Sequence, residues 1–132
     1  MDKIVFKSEI QNINLVEKLI DEISSKYLLN SDIYGKVLLA VVEAVNNGIV
    51  HGNKMVVEKD IILEYNIIDN AIEFYITDCG QGFDFKNLPD PTKPENIEKT
   101  HGRGVFLMKH LADEIEFFEP GNKVKMIFYL NK

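Results

Sequence analysis

The sequence predicts an α+β fold: a two-layer α/β sandwich, with a mixed, mostly antiparallel sheet carrying helices on one face. Three observations predict it. Two apolar stretches near the amino terminus repeat at helical spacing, around Ile13–Tyr27 and Ile33–His51. Two runs rich in β-branched and aromatic residues, Ile61–Ile68 and Ala71–Thr77, flank the turn pair Asp69-Asn70. Two further short runs, Glu114–Phe118 and Val124–Leu130, flank Pro120-Gly121-Asn122. The order β-α-α-β-β-loop-α-β-β then puts the helices together on one side of a single sheet.

Each element has a local justification. Lys3–Ser8 alternates, with Ile4 and Phe6 on one face and Val5 on the other. Ile13, Val16, Leu19, Ile20, Ile23 and Tyr27 follow helical spacing, with Asn12 or Asn14 as the expected cap. Ser31-Asp32 is a second capping signal, opening a long helix from about Ile33 to His51 that Gly52-Asn53 would terminate. From Asp78 to Arg103, glycines, three prolines (Pro89, Pro91, Pro94) and scattered charges show no period, so a long loop is expected. Val105, Phe106, Met108 and Leu111 suit a short helix after it.

The 132 residues suffice for one domain with a sizeable core, residues 1–132. A net charge of −6 and a pI near 5.0 argue against nucleic acid or an anionic membrane as the main partner. The single cysteine, Cys79, forms no intramolecular disulfide and points to a reducing compartment; its thiol is expected to be a small buried packing group. The amino terminus lacks a signal-peptide apolar region, and no apolar run reaches membrane-spanning length, so a cytoplasmic protein is expected.

Three motifs carry chemistry. In a helix, Glu43, Asn47 and His51 are four residues apart and share a face, while Val41, Val42, Ala44, Val45 and Ile49 can face a core. The Asn47 carbonyl oxygen suits Mg²⁺ when phosphates supply the rest of the coordination, and Glu43 one turn earlier suits a general base. The plainer alternative is a solvated polar stripe. His51 suits a helix end or a supporting role, and no zinc constellation accompanies it. The second motif, Asp78-Cys79-Gly80-Gln81-Gly82, places a carboxylate at a strand end, able to accept from an exocyclic amine, beside glycines that permit close approach. An ordinary strand-to-loop turn has the same composition. The third, Gly102-Arg103-Gly104 just before the short helix, can offer backbone N–H groups to phosphate, although a flexible loop end is the favoured explanation of the motif standing alone. It is neither a dinucleotide fingerprint nor a P-loop. Together the three are complementary parts of one ATP site.

On these residues the chain resembles the GHKL (Bergerat-fold) ATP-binding superfamily. The Glu43–His51 run resembles its N box, Asp78-x-Gly80-x-Gly82 its first glycine box and Gly102-x-Gly104 its second. Within it, Glu-Ala-x-x-Asn-x-x-x-His-Gly and Gly102-Arg103-Gly104-Val105-Phe106-Leu107-Met108 resemble the bacterial anti-sigma-factor serine/threonine-protein kinases. The resemblance implies ATP and Mg²⁺ as ligands, Asn47 as the metal ligand, Glu43 as the catalytic base and Asp78 as the adenine acceptor. It implies Gly80 and Gly82 around adenine, Gly102 and Gly104 on phosphate, and an ATP lid over about residues 84–101. Arg103 is expected to add a cationic contact to phosphate. Implied partners are a sigma factor or other regulatory protein and a small antagonist protein phosphorylated on serine, with the kinase a homodimer. A nucleotide-sensing binding module without useful catalysis, and an α+β protein without nucleotide, are the competing expectations.

Overall fold

The computed structural model describes residues 1–86 and 100–130. Five strands form one sheet in the order β1-β2-β3-β5-β4: β1 Asp2–Lys7, β2 Asp60–Ile68, β3 Ala71–Thr77, β4 Glu114–Phe118 and β5 Lys123–Tyr129. Every described pairing is antiparallel, so among the described residues the sheet is wholly antiparallel and not mixed. The reason is topological. Both hairpins have short turns, and β1 returns through two helices to lie antiparallel beside β2.

Strand alternation separates the two faces. On the inner face, Leu63, Ile76, Val124 and Phe117 form one cross-strand row, and Tyr65, Phe74, Met126 and Ile115 another. Phe74 meets Phe128 edge-on with ring centroids 6.1 Å apart. The outer face carries Lys3, Glu64, Tyr75, Lys125 and Glu116 in register, and Lys125 pairs with Glu73 at 3.6 Å. Asp69, at φ 52°, closes the β2–β3 hairpin as the turn pair predicts.

The helices lie on the inner face. α1 (Ile13–Tyr27) buries Val16, Ile20 and Ile23. Asn12 occupies its cap position, but its side chain donates to the Lys7 carbonyl instead of capping. α2 (Ser31–Asn47) buries Ile33, Val37, Ala40, Val41, Ala44 and Val45. Its cap is Asn30, whose Oδ1 accepts from Ile33 N at 2.9 Å, one residue before the Ser31-Asp32 signal. The helix continues as a π turn over Gly48–Gly52, closed by Asn53 N donating to Gly48 O at 2.7 Å. Ser31–Gly52 thus matches a membrane span in length and apolar content. Its apolar stripe is covered by the sheet and the other helices, which is the geometry of a core helix.

α3 spans Thr100–Leu111 and packs on α2. The glycine motif therefore lies inside the first turns of α3, not before it. Docking against α2 extends the helix through residues whose propensity is poor, because tertiary packing outweighs about 1 kcal/mol per glycine. The expected lid falls mainly on residues 87–99, outside the described residues.

Candidate nucleotide site

One cleft opens at the carboxyl-terminal end of α2, with about 440 Å³ of empty space. Its apolar walls come from all layers: Ile76, Val124 and Phe117 from the sheet, Ala44 from α2, Met108 from α3 and Phe83 from the loop after β3. Asn47, His51, Asp78 and Asn122 supply polar groups at its rim. A mostly apolar slot with a few convergent polar groups is the usual form of a small-molecule site. Phe117 meets Phe83 edge-on at 5.5 Å and stacks on Phe85 at 5.4 Å, which stiffens one wall.

Asp78 follows the last residue of β3, where the chain leaves the sheet. Its Oδ1 accepts from Gly80 N at 2.7 Å. The carboxylate rests on the π turn: a Cβ on Gly52 would come within 2.3–2.5 Å of its atoms. Gly52, which the sequence presents as a helix stop and as the end of the Glu-Ala-x-x-Asn-x-x-x-His-Gly run, here makes room for Asp78. Gly80 is equally confined, since its Cβ would stand 2.3 Å from Gly52 O. Burial raises the Asp78 carboxyl above its ordinary value, opposed by the Gly80 amide and Lys59. A desolvated carboxylate at a strand end is poised to accept from a ligand's donor.

Asn47 lies across the cleft. A Cβ on Gly104 would fall 3.0 Å from its Oδ1, so the carboxamide packs directly on the α3 backbone. This joins the first and third sequence motifs at one point. Glu43 is one α-helical turn before Asn47 and half-buried, but it is not among the cleft-lining residues. His51 lines the cleft with Asn47, although the π turn breaks the strict four-residue stripe between them. Burial lowers the His51 pKa, favouring the neutral imidazole and opposing the cationic helix-end role.

Gly82 also lines the cleft, at φ +85°, and a Cβ there would overlap Pro120 O at 1.9 Å. Phe83 N donates to that same carbonyl at 3.1 Å, fixing the loop to the β4–β5 turn. Gly80 borders a neighbouring hollow with Lys54 and Lys59 instead. Gly102 and Arg103 fall in the first turn of α3, where backbone N–H groups lack intrahelical partners. Arg103 is exposed and, like Gly104, outside the cleft lining. Cys79 is exposed, not buried as expected, and its Sγ lies 3.5 Å from Asp60 O. Leaving the sheet at Asp78 turns the next side chain outward. Phe83, Met108, Phe117 and Asn122 carried no sequence signal as cleft residues, because their convergence depends on strand register and helix docking.

The residues fit Mg-ATP. An apolar slot with one carboxylate suits a purine bearing an exocyclic amine. Among the described residues, no group of three or more His, Cys, Asp or Glu side chains could cage a metal. Magnesium bound chiefly by phosphate and water needs no such cage, and the Asn47 oxygen can complete it.

Sheet, helices and cleft together define an ATPase-type α/β sandwich. The chain matches the model of the histidine kinase-like ATPase domain over residues 6–128, and it belongs to that family. It is 35% identical over 102 residues to the serine-protein kinase RsbW of Staphylococcus epidermidis, covering 71% of this chain and 64% of that protein. The RsbW of Listeria innocua is 30% identical over 101 residues, with the same coverage of each chain. The chain thus spans just under two thirds of the length of these relatives. Among solved structures, the RsbU and RsbW domains of a Mycobacterium tuberculosis protein superpose with a TM-score of 0.69 at 13% identity, covering 98% of this chain and 33% of that one. The histidine kinase domain of an Erythrobacter litoralis blue-light activated kinase gives 0.55 at 14%, covering 92% and 60%. Both share the fold.

Proposed function

We propose that this domain binds Mg-ATP in the cleft and transfers the γ-phosphate to a serine of a small antagonist protein. Its second partner in this switching module is a sigma factor or another regulatory protein, held inactive while bound. The observation that carries the proposal is the convergence of Asn47 and Asp78 on one apolar-walled cleft. The serine-kinase names of relatives at 30–35% identity support the reaction class.

In this mechanism Asp78 accepts from the adenine amine, while Gly80 and Gly82, packed against Gly52 O and Pro120 O, let the loop take the close path that holds Asp78 beside the base. Asn47 supplies one oxygen to magnesium, whose chemistry when bound is neutralising charge on the phosphates. Gly102 and Arg103, in the first turn of α3, hold phosphate through backbone amides and the guanidinium, while Gly104, one residue further on, leaves room for the Asn47 carboxamide beside that phosphate. The serine oxygen attacks the γ-phosphorus as its proton passes to Glu43. The bond from that phosphorus to the bridging oxygen breaks, and ADP leaves. Incubation with γ-labelled ATP and the cognate antagonist should label a serine. Glu43→Gln should lower transfer by at least about 10²-fold while nucleotide affinity is kept. Absence of transfer to a verified cognate partner would sink the kinase proposal.

One observation favours a second reading, a nucleotide-sensing module that sequesters a partner without useful catalysis. Glu43 stands outside the described cleft lining, and phosphoryl transfer depends on positioning. Partner affinity that changes between ATP and ADP, with no serine labelled, would select it. The homodimer implied by the family likeness is tested by sedimentation at several concentrations.

A further inference from the structure

We infer that Asn53 and Asn122 are positioning residues that set the base specificity of the nucleotide site by immobilising the peptide between Asp78 and Cys79. The inference rests on the nucleotide-binding reading above. Where the chain leaves β3, two asparagines from distant elements hold three consecutive backbone groups. Asp78 N donates to the Asn122 carbonyl at 2.9 Å, and Asn122 Nδ2 donates to Asp78 O at 3.1 Å. Cys79 N donates to Asn53 Oδ1 at 2.7 Å. The next amide, Gly80 N, binds the Asp78 carboxylate itself.

Asn53 is anchored in turn. It is fully buried, and its Nδ2 donates to Ser8 Oγ at 2.8 Å and to Asp60 O at 3.0 Å. Ser8 is also fully buried and donates to Lys59 O. The partners fix the amide's orientation, because Cys79 N can only donate and Asp60 O can only accept. Through its own N–H, Asn53 closes the π turn on which the Asp78 carboxylate rests. One residue therefore couples the helix end, through its backbone, to the β1 exit, the β2 start and the loop bearing Asp78, through its side chain. A side chain lacking either a donor or an acceptor cannot make the three side-chain bonds.

The consequence is selectivity between purines. Adenine offers its amine as a donor, whereas guanine offers an oxygen at that position and its donors further along the same edge. A carboxylate fixed in place accepts from adenine and repels the guanine oxygen. A carboxylate on a loose peptide can swing to accept from the guanine ring N–H and amine. Loosening the brace should therefore change the preference between bases, not only the affinity.

The test measures ADP and GDP binding by calorimetry for the wild type, Asn53→Asp, Asn53→Ser and Asn122→Ala, with melting temperature as the folding control. Asn53→Asp keeps the acceptor for Cys79 and loses both donors. Asn122→Ala loses only the side-chain bond, since its backbone carbonyl remains. The wild type should prefer ADP, and each folded variant should reduce the ADP-to-GDP affinity ratio by about tenfold, the scale of one lost hydrogen bond. Equal weakening of both nucleotides, or an unchanged ratio, overturns the inference while leaving the nucleotide site standing. A wild type that binds neither nucleotide overturns both. If the Asn53 variants do not fold, Asn122→Ala alone decides the outcome, because its position is only half-buried.

Discussion

At the scale of the residue, burial of the Asp78 carboxylate works against stability, a cost that its proposed role in base recognition would account for. Burial raises its pKa, so the folded chain holds a proton that the unfolded chain has already released. Stability from this group is present below the ordinary carboxylate value, near 3.8, and is lost as pH rises through the raised one. Asp78→Asn should therefore stabilise the ligand-free protein at neutral pH and flatten that acid-side slope. It should also abolish ADP binding, because Gly80 N, which donates to Asp78 Oδ1, would hold the carboxamide oxygen and leave its NH₂ facing the adenine amine. Urea titrations across pH, with calorimetry, check both halves. A variant that binds ADP normally would exclude Asp78 from base recognition. Gly104→Ala is the matching change across the cleft. A methyl 3.0 Å from Asn47 Oδ1 must displace the carboxamide, so magnesium-dependent ATP affinity should fall by about tenfold, with magnesium-free affinity little changed. Equal loss with and without magnesium would remove Asn47 from the metal's coordination.

Elements show where local signals competed with packing. α1 ends at Leu28, which adopts φ 55° and is 86% exposed. A left-handed helix end favours glycine, and the Leu28 side chain contributes little burial. Leu28→Gly should raise stability by about 0.5–1 kcal/mol in thermal or urea unfolding. Destabilisation would show that Leu28 is covered in solution. Asn30→Ala removes the α2 cap and should cost about 1 kcal/mol without altering nucleotide selectivity. The π turn after α2 is the element that connects packing to the site. Its wider winding brings Gly52 beneath Asp78 and moves His51 off the Glu43–Asn47 stripe.

Across the whole molecule, the cleft is the place where sheet, α2 and α3 meet without fully filling the space between them. Phe74 and Phe128 are buried and meet edge-on on the sheet's inner face, outside the cleft lining. Phe74→Ala should cost about 3–5 kcal/mol and loosen the cleft indirectly. Saturating nucleotide should act in the other direction. At a concentration 100 times Kd it adds about 2.7 kcal/mol, which raises the melting temperature by roughly 5–10 °C. The same titration on Asp78→Asn should show no shift.

Alternation, turn pairs and helical spacing placed the described elements to within a few residues, because each depends on contacts between near neighbours in the chain. The three glycine and polar motifs were also visible: each alone has a plainer explanation, but in their order along the chain they are complementary parts of one ATP site. Resemblance then pointed to the GHKL ATP-binding superfamily, and the chain belongs to the histidine kinase-like ATPase domain family. Other features required the folded chain. The all-antiparallel pairing, the helical placement of Gly102 and Gly104, the exposed Cys79 and the walls at Phe83, Phe117 and Asn122 depend on which distant segments pack together. Asn53 is the clearest instance. In the sequence it marks the end of a helix; in the fold its amide reaches Ser8, Asp60 and Cys79 at once, because desolvated polar groups must find partners wherever packing supplies them.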